Sequence, residues 1–273
     1  MIASKKSPLI IGHRGASAVA PENTLAAFAQ AVALGADGIE LDVRLARNGV
    51  PVVIHDASLR HTAGRKEIVT KLTSEELARI DVGSWFNRSH RDLAQPGYPK
   101  ETIPTLDQVF ALLQNQPRRE VVTYVEMKTT RQKASNEQLA GAVVEVIRAR
   151  DFQQRVVVIS FNLTVLRLVR ELAPSLRTGA LFGPRQRATR SVGKLISETV
   201  GCGAKEILLH HLVAKAGLVE RARAANLTPV VWTVDDPNWL LRAQTEGIHA
   251  LMTNDPARML ENRGVTQASE NRV

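Results

Sequence analysis

Cysteine is nearly absent from this sequence. Cys202 is the only cysteine among 273 residues, which excludes an internal disulfide and a metal site made of several thiolates. A single thiol suits a reducing compartment. We therefore expect a cytoplasmic protein.

Long apolar runs are absent as well. No stretch approaches the roughly 20 apolar residues that a membrane-spanning helix requires. The first apolar run, in MIASKKSPLIIG, is too short for the core of a signal peptide and ends at Gly12. The sequence predicts no stable membrane anchor.

Aromatic residues are scarce, whereas positive charge is in excess. Aromatic residues make up 4% of the chain, and its formal net charge is +9. This charge favours acidic partners, namely nucleic acid, an anionic membrane surface or a small phosphorylated substrate. A nucleic-acid-binding module is an alternative, but the chain lacks its basic–aromatic interleaving and motifs, so we expect no nucleic acid partner. The basic stretch 184–194 is expected to be a solvated loop or helix face.

Runs typical of β-strands alternate with helical patterns along the chain. The β-type runs are 8–12, 38–43, 51–55, 121–126, 156–160, 177–182, 206–209, 229–234 and 249–252. The helical patterns are 22–34, 135–150, 163–172, 213–225 and 237–246, with another beginning at Thr105. Such alternation favours a parallel sheet, either doubly wound or closed as a barrel.

The connection between the second and third runs is too short for a parallel crossover, which needs a dozen residues or more. It contains Asn48-Gly49, a strong hairpin signal. We therefore expect an antiparallel hairpin whose two-residue turn places His55 opposite Asp42. The eight remaining runs match the strand count of an α/β (β/α)8 TIM-type barrel.

The whole chain, 1–273, is expected to form a single barrel domain. The segment 57–105 does not follow the alternation, although a capping-box pattern at 73–76 predicts a short helix within it. We expect a small insertion there, over one rim of the barrel and after the second histidine. Residues 261–273 are expected to form a polar tail.

Ionisable residues end several predicted strands, and in such a barrel the active site lies at those carboxyl ends. Glu40 and Asp42 share one face of their strand, because successive side chains alternate. With Glu126 they offer an oxygen-only site that suits Mg²⁺ or Ca²⁺. His13 and His55 add an acid–base pair, and this combination is typical of metal-assisted chemistry on a phosphate ester.

Two basic residues, Arg14 and Lys128, can add positive charge for a phosphate, with Arg14 capable of bidentate contact. The phosphate-loop pattern GxxxxGK[ST] is absent, and GCGAKE at 201–206 lacks the last glycine of a dinucleotide loop. His210 and His211 end another β-type run. Adjacent strand residues diverge, so at most one of them faces the rim, and we leave both out of the site.

The segment HRGASAVAPENTLAAFAQAVALGADGIELDVRLARNGVPVVIHDASL closely resembles the N-terminal signature of glycerophosphodiester phosphodiesterases. The likeness continues through DVGSWF, IPTLDQVF, VEMK, ISF, VVWTVDD and LMTNDP, and so spans nearly the whole chain. The order HRG, PENT, E-x-D and HD is specific, whereas any one fragment alone is not. The resemblance implies a (β/α)8 barrel with an insertion after the second histidine.

The resemblance also implies roles for individual residues. Carried over by position, these are His13 and His55 as acid–base catalysts, Glu40, Asp42 and Glu126 as metal ligands, Arg14 and Lys128 at the phosphate, and Phe161 and Trp232 near the glycerol or the leaving group. Two stretches depart from the family pattern. ARNG at 46–49 replaces Thr-x-Asp-Gly, and the loop LRHTAG after His55 is short, so both bear on substrate fit.

The implied activity is divalent-metal-dependent hydrolysis of glycerophosphodiesters, such as glycerophosphocholine or glycerophosphoethanolamine, to sn-glycerol 3-phosphate and an alcohol. One histidine takes a proton from the substrate's own hydroxyl as it attacks phosphorus, and the other protonates the leaving alcohol. Water then opens the cyclic phosphate. An alternative is cleavage of a lysophospholipid or sphingolipid on the same barrel, which needs an apolar groove to which Trp85 and Phe86 are the obvious contributors.

Overall fold

The computed structural model describes residues 7–116 and 120–270. Its nine strands are β1 Leu9–His13, β2 Gly38–Leu45, β3 Pro51–Val53, β4 Val122–Met127, β5 Val156–Ser160, β6 Arg177–Phe182, β7 Glu206–His210, β8 Thr228–Trp232 and β9 Ala250–Thr253. Eight of them pair in parallel in the order β1-β9-β8-β7-β6-β5-β4-β2, and β1 also pairs with β2. That last pairing closes the sheet, so the prediction of an eight-stranded TIM barrel is confirmed.

Helices surround the barrel. They are α1 Leu25–Ala33, α2 Arg60–Ala63, α3 Ser74–Leu77, α4 Ser84–Ser89, α5 Leu106–Gln114, α6 Lys133–Ala149, α7 Leu163–Leu172, α8 Pro184–Thr189, α9 Val192–Gly201, α10 Ala216–Ala224, α11 Trp239–Glu246 and α12 Pro256–Glu270. Single 3-10 turns span Val69–Lys71, Arg91–Leu93 and Tyr98–Lys100. The predicted polar tail therefore overlaps a helix that continues to Glu270, and 271–273 lie outside the described residues.

The strand side chains divide into two apolar layers. Those that point outward pack against the helices in a large core, which includes Phe110, Phe152 and Leu209. Those that point inward fill the barrel in a separate cluster, made of Ile11, Tyr124, Val157, Ile159, Leu181, Leu208, Val230, Ala250 and Met252. Because strand side chains alternate, this inward cluster also determines which residue at each strand end faces the barrel mouth.

The hairpin after β2 is antiparallel as predicted, but its predicted register is wrong by one residue. Val43 pairs with Val53, and Leu45 pairs with Pro51, so Asp42 lies opposite residue 54 and not opposite His55. The turn has three residues and ends at Gly49, whose φ of +80° is left-handed. A three-residue turn of this kind needs a glycine at its last position, which shifts the register relative to a two-residue turn.

One helix boundary and one whole helix differ from the sequence expectation, for identifiable reasons. Helix α1 begins at Leu25 because the Thr24 side chain caps it by accepting from Ala27 N, so the predicted start at residue 22 is too early. Helix α9, capped by Ser191, was not predicted. Its β-branched residues and Gly193 have low helix propensity, and burial of Leu195 in the core favours the helix nonetheless.

The segment 57–105 packs against the hairpin and against α1. Apolar side chains of the hairpin and the segment form one buried cluster, made of Ala46, Val52, Ile54, Leu59, Val69, Leu77, Ile80, Val82 and Ile103. A second cluster joins Phe86 and Tyr98 to Ala20 and Ala27 at α1. The hairpin therefore connects the segment to the rim that carries His55.

Candidate active site

The barrel mouth is lined by inward-facing residues at the carboxyl ends of the strands or just after them. Going around the barrel, these are His13 on β1, Glu40 and Asp42 on β2, Glu126 on β4, Phe161 after β5, Gly183 after β6, His210 on β7, Trp232 on β8 and Asn254 after β9. We call β1, β2 and β4 with their side chains the charged half, and the mouth residues from β5 to β8 the aromatic half.

Three carboxylates meet in the charged half. One oxygen each of Glu40, Asp42 and Glu126 lies within 4.8 Å of the others. Asp42 and Glu126 are direct register neighbours on adjacent strands. All three are buried, with exposed fractions of 2%, 1% and 8%. The structure therefore brings the three predicted metal ligands together.

Asn23 supports this cluster and was not singled out from the sequence. Its side chain donates to Asp42 Oδ2 at 2.8 Å and accepts from Asp42 N at 3.2 Å. Asn23 has a φ of +57°, a left-handed conformation that asparagine tolerates better than most residues. Its place in PENT, just before α1, was the available signal, but the fold alone places that turn beside β2.

Two cations lie among the carboxylates. Lys128 Nζ is 2.6 Å from Glu126 Oε1 and 2.9 Å from Asp42 Oδ1. Arg14 Nε is 3.2 Å from Asp42 Oδ2, and Arg14 Nη1 is 3.0 Å from Glu22 Oε1. Buried charges are stable only when paired in this way. Both predicted phosphate-contacting residues are therefore at the site, where they contact carboxylates.

The carboxylates titrate differently. Burial alone would raise the pKa of Asp42, but the charges of Lys128 and Arg14 outweigh it and hold that pKa below its usual range. Burial and the charge of Asp42 raise the pKa of Glu40 well above its usual value. Burial likewise raises the pKa of Glu126 to about 7, against the lowering effect of Lys128. Three acids in this space thus favour an added cation.

The two ring nitrogens of His13 face different polar side chains. Its Nδ1 lies 2.8 Å from Asn254 Oδ1, and its Nε2 lies 3.9 Å from Glu40 Oε2. Burial, with a further contribution from the charge of Arg14, lowers the pKa of His13 to about 4. The imidazole is therefore neutral near neutral pH, which is the form that accepts a proton.

His55 is more open to solvent, with about a third of its side chain exposed. Its Nδ1 is 2.8 Å from Asp56 Oδ1, and its carbonyl oxygen accepts from Arg44 Nε at 2.8 Å. Burial lowers the pKa of His55, and the charge of Asp42 acts on it in the opposite direction. The two predicted histidines are thus both within electrostatic reach of Asp42.

The aromatic half consists mainly of ring side chains that contact one another. Phe161 and Trp232 meet edge to face, with centroids 5.6 Å apart, and His210 meets Trp232 at 5.0 Å. A Cβ at Gly183 would lie 3.8 Å from Trp232 and 3.9 Å from Phe161, so glycine leaves the space before the rings open. Trp232 Nε1 is buried and has no hydrogen-bond partner among the described residues.

His210 belongs to this aromatic half, although it was not among the predicted site residues. On β7 the inward residues are Glu206 and Leu208, so His210 also points inward, as strand alternation requires. His211 points elsewhere, and its Nδ1 lies 2.8 Å from Thr233 O. The expectation that at most one of the pair faces the rim agrees with this arrangement. The alternation of side chains along β7 could have identified His210 as the inward-facing residue.

The aromatic residues of the insertion pack within the protein. Phe86 is fully buried and meets Tyr98 edge to face at 5.5 Å. Trp85 is partly buried against Phe86 and lies 4.9 Å from the His61 ring. The residues that motivated the lysophospholipid or sphingolipid alternative therefore serve packing.

The carboxylate cluster fits a hard divalent cation. All its donors are oxygen atoms, which Mg²⁺ and Ca²⁺ prefer. Asp42 Oδ1 already lies 2.9 Å from Lys128 Nζ, so a bound ion would share this carboxylate with the lysine. The residues present are therefore compatible with a metal centre formed by Glu40, Asp42 and Glu126.

Together, the barrel and its mouth define a TIM-barrel enzyme whose carboxyl-end site combines acidic, basic and histidine residues. A glycerophosphodiester phosphodiesterase from Caldanaerobacter subterraneus subsp. tengcongensis is 32% identical over 92% of this chain and 96% of its own length. A solved structure from Silicibacter pomeroyi DSS-3 matches with a TM-score of 0.84 at 26% identity, over 96% of this chain and 95% of that one.

A structure of an Oleispira antarctica phosphodiesterase in complex with the product sn-glycerol-3-phosphate has a TM-score of 0.77, at 24% identity over 94% of this chain and 96% of that one. At that identity it supports the fold alone. The model of the glycerophosphoryl diester phosphodiesterase family matches residues 13–258. The chain belongs to this family, and it is therefore a phosphodiester hydrolase that acts on glycerophosphodiesters.

None of the helices in the described ranges has the length and apolarity needed to cross a bilayer. The longest, α6, has 17 residues and includes charged side chains.

Proposed function

We propose that this enzyme hydrolyses glycerophosphodiesters with small head groups, such as glycerophosphocholine or glycerophosphoethanolamine, to sn-glycerol 3-phosphate and an alcohol, in a divalent-metal-dependent reaction. The observation that carries the proposal is the meeting of Glu40, Asp42 and Glu126 within 4.8 Å, beside His13 at 3.9 Å from Glu40. The similar protein from Caldanaerobacter subterraneus subsp. tengcongensis is a glycerophosphodiester phosphodiesterase, which supports the same substrate class.

Glu40, Asp42 and Glu126 would hold Mg²⁺ or Ca²⁺. Such an ion neutralises phosphate charge and makes a nearby hydroxyl more acidic. Arg14 and Lys128 lie at the same cluster, and their positive charges are placed to attract the phosphate that enters it. Their present carboxylate partners keep them buried and oriented until then.

His13 and His55 would move the protons. One accepts the proton of the substrate's glycerol hydroxyl as that oxygen attacks phosphorus, and the other donates a proton to the departing alcohol. The cyclic phosphate is then opened by water with the roles reversed. The nucleophile belongs to the substrate, so the reaction gains from proximity, and an acyl chain on that hydroxyl would block it. Deacylated substrates therefore fit best.

Phe161 and Trp232 would contact the glycerol or the leaving alcohol. They line the mouth opposite the carboxylates, and Gly183 leaves room before them. Rings at this position exclude water from one side of the substrate, which strengthens the electrostatic interactions on the other side.

We place the enzyme in the cytoplasm, in the metabolism of lipid head groups. The support is the single thiol, Cys202, which is buried and free and so requires no oxidising compartment. The basic charge serves a small phosphodiester in this proposal and not nucleic acid.

The test is product release. Purified enzyme is incubated with glycerophosphocholine or glycerophosphoethanolamine, with Mg²⁺, Ca²⁺ or excess chelator, and sn-glycerol 3-phosphate is measured. We expect release with at least one ion and none with chelator. Equal release in chelator would contradict the metal requirement, and no release with any ion and either substrate would contradict the proposed substrates.

A further inference from the structure

His13 is the first of a series of hydrogen-bonded side chains that leads away from the site. Asn254 Oδ1 lies 2.8 Å from His13 Nδ1. On its other side, Asn254 Nδ2 donates to Asp235 Oδ2 at 2.8 Å, and Asn254 N donates to Asp235 Oδ1 at 2.8 Å. Thr253 Oγ1 also donates to Asp235 at 2.8 Å. The Asp235 carboxylate is thus held by three donors from one short segment.

This arrangement decides which end of the Asn254 amide faces His13. A carboxylate only accepts hydrogen bonds when it is ionised, so the amide NH₂ must face Asp235. The amide oxygen then faces His13, where Ser17 Oγ also donates to it at 3.0 Å. The reversed amide would set its oxygen against the Asp235 carboxylate, where no hydrogen would be available for either group.

A fixed amide oxygen determines the position of the imidazole proton. An oxygen accepts, so His13 Nδ1 must carry a hydrogen, and in a neutral imidazole the other nitrogen is then an acceptor. His13 Nε2 lies 3.9 Å from Glu40 Oε2, which is too long for a hydrogen bond. Its lone pair therefore faces the carboxylate pocket without a protein donor in the described ranges.

We propose that Asp235 and Asn254 are positioning residues that hold His13 as its Nδ1–H tautomer, with the Nε2 lone pair directed at the substrate. Given the proposed function, His13 is then the histidine prepared to accept the proton of the attacking hydroxyl. His55 lacks this arrangement, since its Nδ1 lies 2.8 Å from the carboxylate of Asp56 and not from a fixed amide oxygen.

The tautomer can be measured directly and without turnover. Long-range ¹H–¹⁵N correlation spectra of uniformly ¹⁵N-labelled enzyme at neutral pH distinguish a protonated Nδ1 from a protonated Nε2 in each neutral histidine. The His13 signals are identified by their loss in His13→Ala. We expect a protonated Nδ1 and a bare Nε2. A protonated Nε2 in the wild-type enzyme would overturn the proposal, whatever the activity.

Variants test the role of each partner. Asp235→Asn keeps size but removes the carboxylate that orients the amide, so we expect a mixed tautomer and a kcat lowered about fivefold or more, with KM changed less. The exchanged pair, Asp235→Asn with Asn254→Asp, restores one acceptor facing His13 and one amide behind it. We expect it to recover the Nδ1–H tautomer and most of the lost kcat.

The matched control is Asp236→Asn, the same change at the next residue, which is exposed and whose side chain accepts a hydrogen bond from Asn238 N. We expect wild-type tautomer and kinetics there. A purely structural role would be indicated if the single variant lost activity with its tautomer intact, or if the exchanged pair recovered neither quantity. An Nδ1–H tautomer in an enzyme inactive on every glycerophosphodiester would refute the proposed function alone.

Discussion

The two halves of the barrel mouth deal with polar groups in different ways. In the charged half, Glu40, Asp42 and Glu126 are packed together with Arg14 and Lys128 in ion pairs as short as 2.6 Å. In the aromatic half, the polar atoms are carried by rings, and Trp232 Nε1 has no partner among the described residues. The charged half is therefore suited to bind charged groups, and the aromatic half to contact apolar or weakly polar groups.

Buried acids show the same difference. Asp42 keeps its charge because two cations lie beside it, so its pKa is lowered despite burial. Glu206, which begins β7 below the aromatic half, contacts Tyr124 Oη at 3.0 Å, and burial raises its pKa to about 7. The lesson is that burial depth alone does not decide the charge of a carboxylate in this barrel. The identity of its neighbours does.

The largest effect is expected from the charged half. Asp42→Asn removes the carboxylate that both cations and the proposed metal share, so we expect kcat to fall roughly 10³-fold and Mg²⁺ affinity to fall in calorimetric titration. Asp151→Asn, an exposed site after α6, is the matched control and should change neither. Wild-type turnover in Asp42→Asn, with its fold intact by circular dichroism, would remove the carboxylates from the mechanism.

The histidines come next. His13→Ala and His55→Ala should each lower kcat at least about 10²-fold, because a positioned acid or base contributes that much. His61→Ala, in the insertion, should leave kcat unchanged. Kinetics on glycerophosphocholine with saturating metal measure this effect, and full activity in either of the first two variants would exclude that residue from proton transfer.

The aromatic half should give a smaller effect of a different kind. Trp232→Leu loses a ring contact worth about 0.5–1.5 kcal/mol, so we expect KM to rise roughly twofold to tenfold while kcat changes less. Trp239→Leu, in α11 and stacked on Arg242, controls for loss of an indole elsewhere. If Trp232→Leu instead lowered kcat as far as the histidine variants, the division of the mouth into two halves would be wrong.

The last effect is on stability and not on catalysis, and it concerns Glu206. Its pKa is about 7 in the folded state and 4.5 in the unfolded reference, so the folded state binds the proton more tightly. The stability that this proton provides is full below about pH 4.5 and is lost as pH rises through 7, by up to about 3 kcal/mol. Glu206→Gln should therefore show a flatter free energy of unfolding between these values in urea titrations. An unchanged pH profile would mean that Glu206 stays ionised in the fold.

Much of the fold followed from local patterns. The β-type runs and the short Asn48-Gly49 connection predicted a barrel with a hairpin, because strand period and connection length are properties of neighbouring residues. The hairpin register failed because a two-residue and a three-residue turn share the same dipeptide, and only the chain geometry at Gly49 distinguishes them. Helix α9 was missed because its burial against the barrel outweighs its weak propensity.

The residues of the candidate site also divide into those that a local pattern predicts and those that only the fold brings together. His13, Glu40, Asp42, Glu126 and His55 could be predicted because strand ends and a family motif mark them. The partners that hold them, such as Asn254 and Asp235, were missed. They approach through contacts between residues 241 positions apart in the chain, and no local pattern records such a contact.

The sequence by itself determined the kind of fold, the list of chemical groups and the family, since these depend on residue types in order. Only the tertiary structure decided which carboxylate keeps its charge, which of two adjacent histidines faces the mouth and what orients His13. The physical reason is that charge, burial and hydrogen bonding are set by what surrounds a group in space, and barrel closure brings together residues from the two ends of the chain.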